Sequence, residues 1–259
     1  MVDLLFAAGL VVLVLMVVVW LISIVVGDAS IVDMVWGFGF VLVAWATYLI
    51  SDSTGPRSLL MTLLVTVWGL RLSGYLVWRN LGEDEDKRYQ KMRAGSPESF
   101  WWKSLFKVFL LQGLLMWVIS LPVVAAQTSG SGLFWLDFLA IAVWGAGLVF
   151  ESVGDYQLAR FKARPGSEDE VMDSGLWRYT RHPNYFGDFC VWWGHYLVSV
   201  AAGAWWTVLS PLVMSFLLMR FSGVTLLEKT ITSRRPGYAD YVARTNTFFP
   251  GPPSDGATR

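Results

Sequence analysis

Leu4 to Val26 is a run of 23 residues without a charged side chain, and no other feature restricts the fold of this chain as strongly. At 1.5 Å per residue such a helix is long enough to cross about 30 Å of hydrocarbon. Backbone N–H and C=O groups in lipid have to be paired within the chain, so the run is expected to be a transmembrane helix. Six more apolar stretches follow it: Ile31–Ile50, Leu59–Trp78, Leu105–Ala126, Trp135–Phe150, Tyr185 to about Ala201, and Trp205–Leu227. With 55% hydrophobic residues and 15 tryptophans in 259, there is too much apolar surface for a water-soluble globule. Asp3 is the only charge in the first 26 residues and no basic cluster precedes the run, so it reads as a retained span and not a cleaved signal. The expected fold class is all-α, one polytopic membrane domain over residues 1–259 built as a bundle of seven transmembrane helices.

Charge placement supports that count. Seven spans put the segments 27–30, 79–104 and 156–184 on one side with the C-terminal tail. Sixteen Lys and Arg residues then share that side, and Arg57 alone lies opposite, with Arg71, Lys107 and Arg220 inside spans. The excess of Lys and Arg predicts a cytoplasmic C-terminus and an outside N-terminus. A net charge of zero argues against nucleic acid as a partner. One cysteine, Cys190, excludes an internal disulfide, and with two histidines, His182 and His195, a metal centre is not expected. Membrane lipids are the expected surroundings.

Ionisable groups inside spans are costly, and each calls for a reason. Asp33 either hydrogen-bonds a polar group of a substrate or caps the second span. Arg71 either binds a phosphate or snorkels and pairs with Asp33. Tyr75, one turn beyond Arg71 on the same face, is placed to donate to a carbonyl or to sit at the interface. Trp20, Trp36 and Trp68 are candidates to line a flat apolar pocket, while the remaining tryptophans read as an interfacial belt. His195 reads as structural, and Lys107 as a snorkelling lysine.

The densest polar cluster is Gly175-Leu176-Trp177-Arg178-Tyr179-Thr180-Arg181-His182-Pro183-Asn184-Tyr185-Phe186-Gly187-Asp188. Pro183 suits a helix start, which leaves Asn184 and the following N–H groups facing any anion. Asp188, one turn on, suits an amide or a ribose hydroxyl. The preceding basic loop, with Asp155, Arg160, Lys162 and Arg164, offers charge-assisted donors to a ligand's phosphates or to lipid head groups. Glu228, Arg235 and Tyr241 belong to a polar tail that either folds over this cluster or forms a solvated helix.

From Gly175 to Asp188 the Gly-Leu-Trp, Arg-His-Pro-Asn-Tyr and Gly-Asp pattern resembles the steroid 5-alpha-reductase family in its bacterial branch, together with the sterol C14-reductases. The resemblance extends over roughly residues 150–250, including Asp155, Lys162 and the tail to Phe248-Phe249-Pro250, and is weak before that. It implies a seven-helix intramembrane reductase of the bacterial inner membrane, with NADPH bound from the cytoplasmic side. Residues 1–126 would then be a substrate-side half and 135–250 a cofactor-binding half. Asn184 and Asp188 would meet the nicotinamide end, and Asp155, Lys162 and Tyr179 the rest of the cofactor. Arg164, Trp177, Arg181, His182, Tyr185, Glu228, Arg235 and Tyr241 complete the implied cofactor-binding set. In such enzymes a carboxylate on the second helix and a tyrosine on the third hold an enone carbonyl. Asp33 matches the carboxylate, but Trp68 falls at or near the tyrosine position, which leaves Tyr75 as the alternative acid. The implied activity is reduction of the carbon–carbon double bond of a 3-oxo-Δ4-steroid or another flat apolar enone. The Arg181–Gly187 core is also similar to membrane methyltransferases that use S-adenosylmethionine on isoprenylated cysteine or phospholipid. A sterol- or lipid-binding membrane protein without catalysis is the third reading.

Overall fold

A computed structural model of the chain describes residues 1–53, 55–221 and 237–254. Every regular element among them is helical. The long helices are α1 (Val2–Val26), α2 (Ile31–Ile50), α3 (Pro56–Asn80), α5 (Phe100–Ala126) and α6 (Trp135–Lys162), and these five are long and apolar enough to cross a membrane. Between α3 and α5 lies the short α4 (Lys87–Ala94), and α7 (Pro183–Ala201) follows a single 3₁₀ turn at Gly175–Arg178. The last described elements are α8 (Leu209–Phe216), which continues as a π turn at Leu217–Phe221, and α9 (Tyr238–Arg244).

The helix ends follow from local chemistry. Gly27 closes α1 with φ 80°, a left-handed conformation suited to glycine, and its N–H caps the Ser23 carbonyl. Pro56 and Ser58 start α3 three residues before the expected Leu59, Ser58 exchanging hydrogen bonds with Gly55. The largest departure is α6, expected to stop at Phe150 but helical to Lys162. The basic stretch from Tyr156 to Lys162 is therefore helix and not loop. Polar residues beyond the hydrocarbon continue a helix as readily as apolar ones, and nothing breaks this one before Pro165 and Gly166. The stretch 79–104, expected as a loop, contains α4, whose N-cap Asp86 accepts the Arg88 N–H at 2.8 Å.

The chain forms two compact units, Met1–Asp137 with His195–Ser210, and Phe138–Gly194 with Pro211–Arg259. In the first unit, α1 buries one stripe, Leu4, Ala8, Val12, Met16, Val19 and Ser23, and leaves Phe6, Leu10 and Val14 exposed, as a lipid-facing helix does. Helices α2 and α3 meet at two glycines: a Cβ at Gly37 would lie 2.5 Å from the Gly69 oxygen, and the converse holds for Gly69. Small residues allow this close approach, which compensates for the lack of a hydrophobic drive between helices in lipid. Arg57, the lone basic residue expected on its side, is fully buried and paired with Asp137 at 2.8 Å. Its other N–H groups reach Ser129 at 2.9 Å, Ser131, and the Gly132 carbonyl at 2.6 Å.

In the second unit, α6 and α7 pack along a glycine seam. A Cβ on Gly187 would lie 2.3 Å from the Glu151 nitrogen, and one on Gly194 would lie 2.6 Å from the Trp144 Cβ. Gly187 thus holds its place in the polar motif through helix packing.

Candidate functional site

Asp33 sits in the first turn of α2 and is held by residues from α4 and α5. Its Oδ2 accepts from Arg88 Nη2 at 2.8 Å, and its Oδ1 accepts from the Tyr89 hydroxyl at 3.0 Å. Gln112 Nε2 in turn donates to the Tyr89 oxygen at 3.0 Å. Burial, followed by the charge of Asp33, raises the Tyr89 phenol above its ordinary range. Tyr89 therefore keeps its proton, and its hydrogen-bonding directions are set by Asp33 and Gln112.

This cluster is fastened to the α1–α2 turn. Glu85 accepts from the Ala29 N–H at 2.8 Å and from Arg93 at 2.8 Å, while Arg93 also donates to the Gly27 carbonyl at 2.9 Å. Partial burial pushes the Glu85 carboxyl up, but the Arg93 and Ala29 donors outweigh it and hold the group below its ordinary range. The segment 85–93 is consequently a strap that carries Tyr89 to Asp33.

One alternative offered by the sequence is corrected here. Arg71 does not pair with Asp33, whose partners are Arg88 and Tyr89. Tyr75 does not reach Asp33 either: its ring meets the Arg71 and Arg79 guanidinium groups, each at 5.6 Å, and stacks obliquely on Trp78 at 6.0 Å. Tyr89 and Arg88 lie more than fifty positions from Asp33, so nothing local in the sequence joins them. The available signals were one tyrosine in a charged run and one glutamine, Gln112, in an apolar span.

Of the proposed pocket tryptophans, Trp36 packs edge-on against Phe40 at 5.1 Å, and its buried Nε1–H meets no acceptor among the described residues. Trp68 is fully buried in the core between Phe40 (5.7 Å) and His195 (6.1 Å). Trp20 is not part of that group; its Nε1 donates to the Trp101 carbonyl at 2.8 Å.

The second unit assembles the polar motif around the start of α7. Asn184 Nδ2 donates to Asp155 Oδ1 at 3.1 Å, joining α7 to α6. The His182 and Tyr185 rings stack in parallel at 5.5 Å, and Asp155, His182 and Asp188 are buried. Tyr179, Lys162 and Arg164 are exposed, Arg164 pairing with Glu170 at 2.8 Å.

The tail folds back over this motif. Arg181 donates its backbone N–H to the Asn246 carbonyl at 2.9 Å, and its guanidinium to the Thr245 carbonyl and the Thr247 hydroxyl, both at 2.7 Å. Thr180 reaches the Phe248 carbonyl at 2.8 Å, and Gly251 donates to the Tyr179 carbonyl at 3.0 Å. Tyr241, whose phenol burial pushes up, donates to the Trp177 carbonyl, and the Trp177 indole donates to Gly154 at 3.1 Å. Arg181, Trp177 and Tyr241 thus hold the motif and tail together. Glu228 and Arg235 lie outside the described residues. No group of three His, Cys, Asp or Glu side chains able to hold a metal occurs among the described residues.

The Asn184 carboxamide is half-buried against the buried Asp155, Asp188 is buried one turn along α7, and exposed cations lie at the end of α6.

Five membrane-length apolar helices define a polytopic membrane-embedded helical protein. The chain belongs to a family described as a protein of unknown function, DUF1295, whose model matches residues 19–245 and which falls in the steroid 5-alpha-reductase-like superfamily. It is also similar to an uncharacterized protein of Schizosaccharomyces pombe, 26% identical over 268 residues that cover 90% of this chain and 76% of that protein. No solved structure matches the chain.

Proposed function

We propose that this protein is an NADPH-dependent reductase that saturates a carbon–carbon double bond conjugated to a ketone, in a 3-oxo-Δ4-steroid or a similarly flat apolar lipid. The observation that carries the reading is the Gln112–Tyr89–Asp33 chain, a protonated phenol held in a fixed direction beside a carboxyl group at the mouth of apolar helices. Superfamily membership supports it.

Hydride addition to the β-carbon of an enone builds negative charge on the ketone oxygen. A preorganised O–H donor aimed at that oxygen lowers the barrier, often as the largest single catalytic contribution. Tyr89 carries an O–H that points to Asp33, and as the donor it would turn from that carboxylate to the entering ketone oxygen. Gln112 occupies one lone pair of the hydroxyl and orients it, and Arg88 positions Asp33. The Trp36 Nε1–H offers a second donor close to Asp33 in sequence, one turn along α2. Bound NADPH would supply the hydride. Asn184, Asp155 and Asp188 would receive its carboxamide end, Tyr179 would cover an exposed face, and Lys162 and Arg164 would meet its phosphates.

We also propose seven spans, with α7 and the helix from Trp205 onward as the sixth and seventh. The N-terminus would lie outside and the cofactor side would face the cytoplasm, in a bacterial inner membrane. The pairing of Arg57 with Asp137 is consistent with this orientation, since it neutralises the lone basic residue that the sequence places on the outer side.

The test is nucleotide binding and turnover by the detergent-purified protein. NADPH should bind, and its oxidation should depend on added testosterone or progesterone. Binding of S-adenosylmethionine in place of NADPH would favour methyl transfer. Absence of any nucleotide binding would leave a lipid-binding protein.

A further inference from the structure

Outside both clusters, the turn between α4 and α5 forms an open cleft of about 150 Å³. It is lined by Lys91, Lys103 and Lys107, with Ser96 and Ser104 between them and Phe100 on its floor. No carboxylate lines it; Glu98, in the same turn, is exposed but not part of the wall. Arg93, the neighbouring cation, is engaged with Glu85, whereas none of the three lysines has a carboxylate partner among the described residues. The Lys103 ammonium reaches across to the Ser96 hydroxyl at 3.2 Å. Three cations converging without an acidic partner repel one another, and a bound anion would relieve that.

The depth of the cleft indicates which anion. Lys103 and Lys107 occupy the first two turns of α5, a helix that then runs apolar to Ala126. The rise of an α-helix puts Lys107 roughly 10 Å along it from its start, ahead of the uncharged run that continues to Ala126. Trp101, Trp102 and Phe106 are exposed on the same turns, and the Trp20 indole of α1 is bonded to the Trp101 carbonyl. Tryptophans at this level mark the membrane–water boundary. A π turn at Leu105–Leu110 interrupts α5 where Lys107 enters the cleft. Such turns frequently occur at functional sites.

We propose that this cleft binds the phosphate of an anionic phospholipid, with the lysines on the head group and the acyl chains along the exposed face of α5. The proposal rests on membrane embedding and is independent of the reductase reading. It assigns a lipid site where the sequence offered only a snorkelling lysine.

The test is native mass spectrometry of the full-length protein released from detergent with equal amounts of phosphatidylglycerol and phosphatidylcholine. Wild type should retain phosphatidylglycerol preferentially. Each lysine near a lipid phosphate is expected to contribute about five-fold, so Lys103→Gln/Lys107→Gln should lower the bound fraction at least about ten-fold. Lys103→Arg/Lys107→Arg should retain it. The charge-matched pair Arg79→Gln/Lys87→Gln, both exposed and outside the cleft, should change it less than about two-fold. If the double glutamine variant does not fold, Lys91→Gln alone should show the single-lysine drop. Equal retention of both lipids, unchanged binding in the cleft variants, or an equal drop in the charge-matched pair would overturn the proposal. So would glycerol 3-phosphate binding as tightly as the lipid, which would make the cleft a site for soluble phosphates.

Discussion

At the scale of single residues, the proposed chemistry turns on Tyr89 and not Tyr75. Replacing Tyr89 by Phe removes the donor and leaves the ring, so kcat/KM for enone reduction should fall by about 10²–10³. NADPH affinity should be unaffected, and Tyr75→Phe should stay within about three-fold of wild type, since Asp33 is held by Arg88 and Tyr89 and not by Tyr75. Steady-state NADPH oxidation with progesterone measures all three; a larger loss from Tyr75→Phe would reverse the assignment. Arg57 makes a separate stability prediction. Its removal strands the buried Asp137 carboxylate, so Arg57→Ala should cost about 3–5 kcal/mol, and Arg57→Met/Asp137→Leu should recover much of it. Thermal unfolding in detergent compares the two.

At the scale of elements, backbone proximity and charge decide what holds. Gly187→Ala drives a methyl into the Glu151 and Gly147 backbone, which has no room to yield, and should cost about 1–3 kcal/mol or more. Gly74→Ala in α3 meets nothing within 4 Å and should stabilise by about 0.5–1 kcal/mol. Melting temperatures of the two variants should therefore move in opposite directions. The 85–93 strap has its own pH dependence. Glu85 is held below its ordinary value of 4.5, so the folded protein binds fewer protons there than the unfolded chain. Its contribution is complete above about pH 4.5 and disappears as pH falls through the lower folded value. Limited proteolysis between residues 79 and 99 should accelerate over that window in wild type, while Glu85→Gln should be cut readily at every pH.

At the scale of the whole molecule, orientation follows from charge. With seven spans, a C-terminal green fluorescent protein fusion should fluoresce and a C-terminal alkaline phosphatase fusion should be inactive. Active phosphatase at the C-terminus would contradict the proposed topology. The division into two units also separates two kinds of polar site. One gathers around a carboxylate in α2, and the other around the start of α7, where the tail is bonded back onto the motif.

Much of this architecture was legible in the residues alone because lipid imposes a one-dimensional rule. A long uncharged run has to be a helix, and an ion within or beside it needs a partner; hence the apolar spans, and hence the notice given to Asp33 and to Gly175–Asp188. Which partner answers which ion was not legible, because pairing depends on distances that only packing creates. Tyr89 is bound to Asp33, Arg57 to Asp137, and Arg181 to a tail more than sixty positions away. The same holds for Gly187, whose place in the motif has a steric reason in the approach of α6. Patterning along the chain determined that the protein lies in a membrane and where its helices run; tertiary structure alone decided which charges meet, since electrostatic and steric terms depend on separation in space and not along the sequence.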